Sequence, residues 1–169
     1  YRGKHLLSFV DNHDVTRVAS ILTNEKHLPL IYALMFGMPG IPCIYYGSEW
    51  GAKGDKSQGD PALRPSFDKP VYNELTEFIS KLSKAKKSSD ALNYGDFTSV
   101  VLTNKQCIFK RSIEGKSVYV CINADENDYK VRFELTDTQV TDLISGDIME
   151  IKDEFHLPAY SAYFIVQNR

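Results

Sequence analysis

Residues 6–14, Leu6-Leu7-Ser8-Phe9-Val10-Asp11-Asn12-His13-Asp14, decide how this chain is read: an apolar run stops abruptly in four polar residues. Such a run reads as a buried strand, and polar groups crowded at its end stand where α/β enzymes keep their chemistry. The pattern recurs where Ile41-Pro42-Cys43-Ile44-Tyr45-Tyr46 runs into Gly47-Ser48-Glu49-Trp50-Gly51. Between the two, residues 26–37 carry Leu28, Ile31, Tyr32, Leu34, Met35 and Phe36, and Gly37, Pro39 and Gly40 end the stretch. That predicts a helix buried against a sheet, the rest of which would be absent. Two strand-to-loop units joined by a helix predict part of a βα barrel.

Alone, Asn12-His13-Asp14 also fits an ordinary turn with Asp14 as a helix cap. Further along, residues 51–59 are polar and glycine-rich and read as a mobile loop over the site. They lack the glycine spacing that cradles a phosphate. From 71 to 87, Leu75, Phe78, Ile79 and Leu82 recur at helical intervals after Pro70, predicting an amphipathic helix. Lys81, Lys84, Lys86 and Lys87 read as its solvated face and end, where cations complement the helix dipole. After Ser88-Ser89-Asp90 the period changes to alternation, predicting strands at 97–103, 106–113, 117–123, 129–135, 148–152 and 159–166. Tyr129, Val131, Phe133 and Leu135 alternate with Lys130, Arg132 and Glu134, as in a sheet with one dry and one wet face. The expected fold is therefore α/β followed by all-β: a partial (β/α)8 barrel over 1–88 and a small antiparallel β-sandwich over 89–169.

The charges divide the same way. Residues 1–88 hold 12 basic and 9 acidic side chains, residues 89–169 hold 8 and 13. The net charge of −2 argues against a nucleic-acid partner, and no apolar run has membrane-spanning length. Cys43, Cys107 and Cys121 fit no metal spacing and are expected to be packed thiols in strands, with a Cys107–Cys121 hairpin disulfide conceivable. Cytoplasmic and secreted origins both stay open.

Taken together, FVDNHDVTR, MPGIPCIYYGSEWG and GDPALRP resemble, in order and spacing, the last two barrel strands of the α-amylase family of glycoside hydrolases (family 13-like). The ending LPAYSAYFIV resembles the last strand of the β domain that follows the barrel there. The resemblance implies that Asp14 is the acidic residue stabilising the oxocarbenium-like transition state and that His13 binds hydroxyls of the same sugar. Asp60 and Arg64 would grip the neighbouring sugar, Arg17 would orient loop carboxylates, and Glu49 would support a loop. It also implies an α-glucan or malto-oligosaccharide substrate, with hydrolysis or transglycosylation as the reaction. The family's carboxylate nucleophile and general acid/base come from barrel strands before Leu6, so the chain is expected to be a C-terminal part, inactive alone, whose partner is the missing N-terminal part of the barrel. No cofactor is expected in this chain. Calcium is possible in the parent enzyme, with ligands mainly upstream.

Two other readings stay open from the residues. One is a non-catalytic carbohydrate-binding module using exposed Tyr119, Tyr160 or Tyr163. The other is a metal enzyme using Asp11, His13 and Asp14, whose crowding on one strand end makes convergence poor. Without barrel partners, Leu6, Leu7, Phe9, Ile41, Ile44 and Tyr45 would expose apolar surface and strand edges, predicting a non-native homo-oligomer.

Overall fold

The computed structural model describes residues 4–132, 135 and 139–167. Strands β1 (Leu7–Ser8) and β2 (Ile41–Pro42) pair in parallel, with Leu7 opposite Ile41. They are shorter than the apolar runs suggested, because each has a hydrogen-bonding neighbour on one side only. Close approach is permitted by Gly40 (φ 119°): a Cβ there would lie 2.5 Å from Ser8 Oγ and 2.8 Å from the Leu6 carbonyl oxygen. Among the described residues no further strand pairs with them, and Leu6, Leu7, Phe9 and Ile41 are at least half exposed.

The crossover runs through α1 (Val18–Ile21) and α2 (His27–Gly37). Helix α2 is apolar because most of it is covered: Leu30, Tyr32, Ala33, Met35 and Phe36 are all buried, while Leu34 stays exposed. Its covering differs from the expectation of a missing sheet, since an antiparallel sheet from the second half of the chain lies against it. After α3 (Asp60–Leu63), helix α4 (Glu74–Lys87) begins later than the apolar period suggested. Asn73 sets its start through a capping box, its side chain accepting from Thr76 N–H while its own N–H donates to Thr76 Oγ1. A short helix, α5 (Asp90–Tyr94), was not anticipated; Ser89 caps it by accepting from Leu92 N–H.

The large sheet runs β3-β4-β5-β10-β7-β8, wholly antiparallel, and is built from β3 (Asp96–Leu102), β4 (Gln106–Ile113), β5 (Lys116–Asn123), β7 (Gln139–Asp142), β8 (Ile148–Glu150) and β10 (Ser161–Gln167). Strands β6 (Tyr129–Val131) and β9 (Phe155–Leu157) form a separate antiparallel pair. One face of the large sheet gives Phe109, Val118, Val120, Ile122 and Phe164 to a core shared with α2, α4 and α5. The other gives Ile108, Tyr119, Cys121 and Ile165 to a second core with Val131, Phe155 and Leu157. Strands β7 and β9 were missed because each is short and mixes polar with apolar residues. Of the expected 129–135 strand, Phe133 and Glu134 lie outside the described residues.

Several sequence expectations are corrected here. Tyr119 is buried and Tyr163 packs edge-on against Phe155, so neither stands free on the surface. Cys43 is exposed because β2 ends before it. Cys107 pairs with Ile122 and Cys121 with Ile108, which places the two thiols in different cores, where burial pushes both above the usual thiol range.

Lys86, expected in solvent, is 6% exposed. Its Nζ donates to the carbonyls of Phe36 (3.0 Å), Met38 (3.2 Å) and Leu92 (3.2 Å). Arg111, equally hidden, donates to Gly37 O at 2.9 Å and to Gly95 O at 2.8 and 3.2 Å. The ends of α2 and α5 carry carbonyls with no intrahelical donor, and these two cations supply the missing bonds at the negative ends of both dipoles. Burial, reinforced by the Arg111 charge, brings the Lys86 ammonium down to about 8.

The sign of the linkage follows. Below pH 8 folded and unfolded chains both hold the Lys86 proton. From pH 8 upward the folded chain releases it while the unfolded chain keeps it to about pH 10.4, so this group's contribution to stability rises with pH across that window. Urea unfolding of the wild type and Lys86→Met from pH 6 to 10 checks this. The wild-type value should gain on the variant by up to about 1.4 kcal/mol per pH unit above pH 8 and stay parallel below pH 7. Parallel curves throughout would show that Lys86 does not titrate there.

Candidate sugar-binding site

The turn after β1 sorts its polar residues by direction. Asp11 points inward and is 2% exposed: Oδ2 accepts from Val18 N–H at 2.9 Å, capping α1, and Oδ1 accepts from the Ser48 hydroxyl at 2.8 Å. Asn12 Oδ1 accepts from Asp14 N–H at 2.8 Å, a local turn bond that swings His13 and Asp14 outward. With both its oxygens engaged inside, Asp11 does not join His13 and Asp14 as a ligand set. Among the described residues no three His, Cys, Asp or Glu side chains gather to hold a metal ion.

Arg64, at the end of α3, reaches this turn from fifty residues downstream. Its Nη2 lies 3.3 Å from Asp14 Oδ1 and 3.5 Å from Asp60 Oδ2, and its Nε donates to His13 O at 3.4 Å. His13 Nε2 is 3.2 Å from Asp14 Oδ2, and Lys56 Nζ is 3.0 Å from Asp60 Oδ1. These side chains remain roughly half exposed, open to a ligand. The Lys56 bond first, then the charges of Lys56 and Arg64, hold the Asp60 carboxyl below the usual range, so Asp60 is a carboxylate at neutral pH and no proton donor. Tyr45 walls the site beneath, its ring centroid 6.3 Å from that of His13.

Under the turn lies Arg17, fully buried. Nη1 donates to Tyr46 O (2.9 Å) and Ser48 Oγ (3.1 Å), Nη2 donates to Leu63 O (3.0 Å), and the guanidinium carbon sits 4.6 Å from the Tyr45 ring centroid. One side chain thus joins the segments that follow β1, β2 and α3. The carboxylate it reaches is Asp11, through Ser48. Tyr32 closes the network, donating to Ser48 O at 3.1 Å; burial, with Asp11 nearby, pushes its hydroxyl far above the ordinary range. Ser48 and Tyr32 were not read from the sequence, where nothing local marks a serine in a loop or a tyrosine on an apolar helix as part of a polar network.

The loop 51–59, expected to be mobile, is tied to the turn by backbone bonds. Gly54 O accepts from Arg17 N–H (2.9 Å), Gly54 N–H donates to Ser20 Oγ (2.8 Å) and Lys56 N–H donates to Thr16 Oγ1 (3.0 Å). Gly54 must lack a side chain there, because a Cβ would stand 2.3 Å from Ala62 O. Glu49 sits apart, its carbonyl accepting from Thr76 of α4 at 3.0 Å. Its carboxylate faces a cavity shared with Ile41, Thr76 and Ser80, and buried Oε2 has no partner among the described residues.

Comparison with known proteins shows the family. The family model described as the alpha amylase catalytic domain matches residues 3–99. A cyclomaltodextrin glucanotransferase of Niallia circulans is 34% identical over 114 residues, which are 68% of this chain and 16% of that protein. An α-amylase from Anoxybacillus superposes with a TM-score of 0.85 at 26% identity, over 98% of this chain and 38% of that one. A cyclomaltodextrin glucanotransferase with a three-domain ABC distribution shares the fold, with a TM-score of 0.84 at 24% identity over 98% of this chain and 37% of that one. The chain therefore spans about a sixth of the length of the curated relatives it matches. Since the catalytic-domain match runs over more than half of the chain and takes in Asp14, Asp60, Arg64 and the Arg17 network beneath them, the chain belongs to the alpha-amylase family.

Proposed function

We propose that this chain supplies the sugar-gripping side of a site that acts on α-glucans or malto-oligosaccharides by retaining hydrolysis or glucosyl transfer. Residues 1–88 would be the last two βα units of a (β/α)8 barrel, and residues 89–169 a β-sandwich domain behind it. The observation that carries this reading is Arg64, which draws His13, Asp14 and Asp60 together at the open end of the β1–β2 pair. Asp14 would oppose the positive charge that spreads over the sugar ring carbon and oxygen in the transition state, and His13 would hold hydroxyls of that sugar. Asp60 and Arg64, already locked to each other, would grip the next sugar without a large ordering cost.

Retaining chemistry also needs a nucleophile and a general acid about 5 to 5.5 Å apart. Asp60 is held ionised and Asp11 is consumed by Val18 and Ser48, so neither suits the acid's role. We therefore expect the chain to be silent by itself, the two missing carboxyl groups coming from further barrel strands. The test is hydrolysis of soluble starch and of an aryl α-glucoside by this chain and by the longest polypeptide its reading frame encodes, each also as Asp14→Asn. Activity confined to the long form and lost with Asp14 supports the reading. Hydrolysis by the 169-residue chain, or no turnover of either substrate by the long form, sinks it.

The bare edges of β1 and β2 carry a second expectation. The isolated chain should self-associate through Leu6, Leu7, Phe9 and Ile41. Light scattering between about 5 and 200 µM, a span chosen to bracket interfaces of micromolar affinity, should show a mass that rises with concentration. A constant monomer mass would refute it.

A further inference from the structure

We propose that the cavity enclosed by α1, α2, α4 and the start of β10 is a second carbohydrate site, distinct from the Asp14 cluster, that takes a short neutral malto-oligosaccharide. The ligand class rests on the glucan-acting function proposed above; the site itself is drawn from the cavity. Its volume is about 570 Å³, within the range of small-molecule pockets. Every wall comes from this chain's own packed elements, and none of the lining residues belongs to β1 or β2.

The chemistry of the walls selects the ligand. Trp50, Phe78 and Tyr160 supply aromatic surface, and Leu28 and Leu75 supply aliphatic surface between them. A pyranose ring presents C–H groups on its faces and hydroxyls at its edge, so it matches aromatic walls with polar groups at the rim. Here the rim holds Asn73 and Glu74, together with Glu25 and Lys53, which neutralise each other across 3.0 Å. Glu74 leaves the rim with one negative charge beyond that pair, which disfavours an anion, and the absence of a second acid paired with it among the described lining residues gives a cation no cage; the polar groups suit a neutral polyhydroxylated ligand better than a purely apolar one.

The aromatic walls are already fixed. Tyr160 is held in the left-handed region (φ 51°), where a bulky residue is rarely found, and its N–H donates to Asp125 O at 3.0 Å. Its hydroxyl accepts from Asn24 at 3.2 Å, Lys26 Nζ lies 4.8 Å from its ring centroid, and the His27 ring lies 5.6 Å away. Trp50 packs edge-on against Phe67 at 5.1 Å, and its carbonyl accepts from Asn73 at 3.1 Å. Preorganised walls lose little freedom when a ligand arrives.

Trp50 is the chain's single tryptophan, which gives the test an unambiguous reporter. Amide and indole resonances of the 169-residue chain would be followed by NMR as maltotriose is added to the millimolar range, in the wild type and in Asp14→Asn, Ala162→Leu and Glu74→Ala. Ala162 lines the cavity, and leucine there fills it; Glu74 is an exposed rim residue whose loss leaves the core untouched. The expected result is a saturable shift of the Trp50 indole and of the Leu75 amide that persists in Asp14→Asn. The affinity should weaken at least tenfold in Ala162→Leu and about threefold in Glu74→Ala. Shifts confined to residues 12–17 and 60–64 would overturn the second site while leaving the glucan function standing. Cavity shifts unchanged in both cavity variants would place the sugar elsewhere and overturn it too. An absence of shifts anywhere would overturn it together with binding at the Asp14 cluster, which the starch assay tests separately.

Discussion

Replacing Arg17 with methionine should lower the unfolding free energy by about 3–5 kcal/mol, a change resolved by urea denaturation. The loss is electrostatic rather than volumetric, because methionine fills much of the same space. Without the guanidinium, Tyr46 O and Leu63 O lose their donor inside the protein, and Ser48 loses the group that anchors it against Asp11. Asp11, joined to Arg17 only through Ser48, would keep its bonds to Val18 and Ser48 but lose the positive charge behind Ser48. Lysine should not rescue the variant. An ammonium is one compact point, whereas the planar fork spreads Nη1 to Tyr46 O and Nη2 to Leu63 O with its central carbon 4.6 Å from the Tyr45 ring centroid. Hydrogen exchange should report the local consequence, with the amides of Val18 and Ser48 losing protection before those of β4 and β5. A destabilisation below about 1 kcal/mol would show that the buried network contributes little to folding.

Asp14→Asn should behave in the opposite way. With Asp14 in its proposed role, kcat of the longer polypeptide on starch should fall by about 10²–10³-fold, the usual effect of removing one preorganised group that meets transition-state charge. The melting temperature should barely move. Asp14 is exposed, its contacts to Arg64 and His13 are surface contacts screened by water, and such pairs contribute about 0–1 kcal/mol to stability. KM should change less than kcat, because the lost interaction belongs to the transition state rather than to the bound ground state. A variant that keeps more than a tenth of wild-type kcat would remove Asp14 from the chemistry. One that loses activity only because it unfolds would give Asp14 a structural role instead.

Arg17 and Asp14 lie three residues apart, yet one is expected to act on stability and the other on rate. That division comes from the turn between them. Asn12 closes the turn on Asp14 N–H and presents Asp14 to solvent, while Asp11 and Arg17 on either side fold inward onto Ser48. A sequence motif marks all of these residues alike, and only their directions separate them.

What could be read from the residues was short-range. The helix over 26–37, the amphipathic helix ending at Lys87, the strands near 106–113, 117–123 and 159–166, and the polar turn holding His13 and Asp14 all follow from apolar period and cap or turn chemistry, which act over a few residues. Asp60 and Arg64 were legible as a pair only through the resemblance of GDPALRP to the family's segment; the structure sets them one helical turn apart. The boundaries slipped where a single side chain overruled the period, as when Asn73 delayed α4 and Ser89 opened α5.

The sequence by itself determined the helices over 26–37 and the 70s and 80s, the longer strands of the second half, and the polar turn that follows β1, but not α5, β7 or β9. Tertiary structure alone decided that Arg64 crosses fifty residues to meet Asp14, that Arg17 turns inward to two carbonyls and the Ser48 hydroxyl, and that Lys86 leaves solvent to serve the ends of α2 and α5. The reason is physical. Periodicity encodes which face of an element avoids water, whereas a buried charge settles wherever the fold happens to bring enough acceptors together. Those acceptors are mostly backbone carbonyls, which every residue carries and no residue type announces.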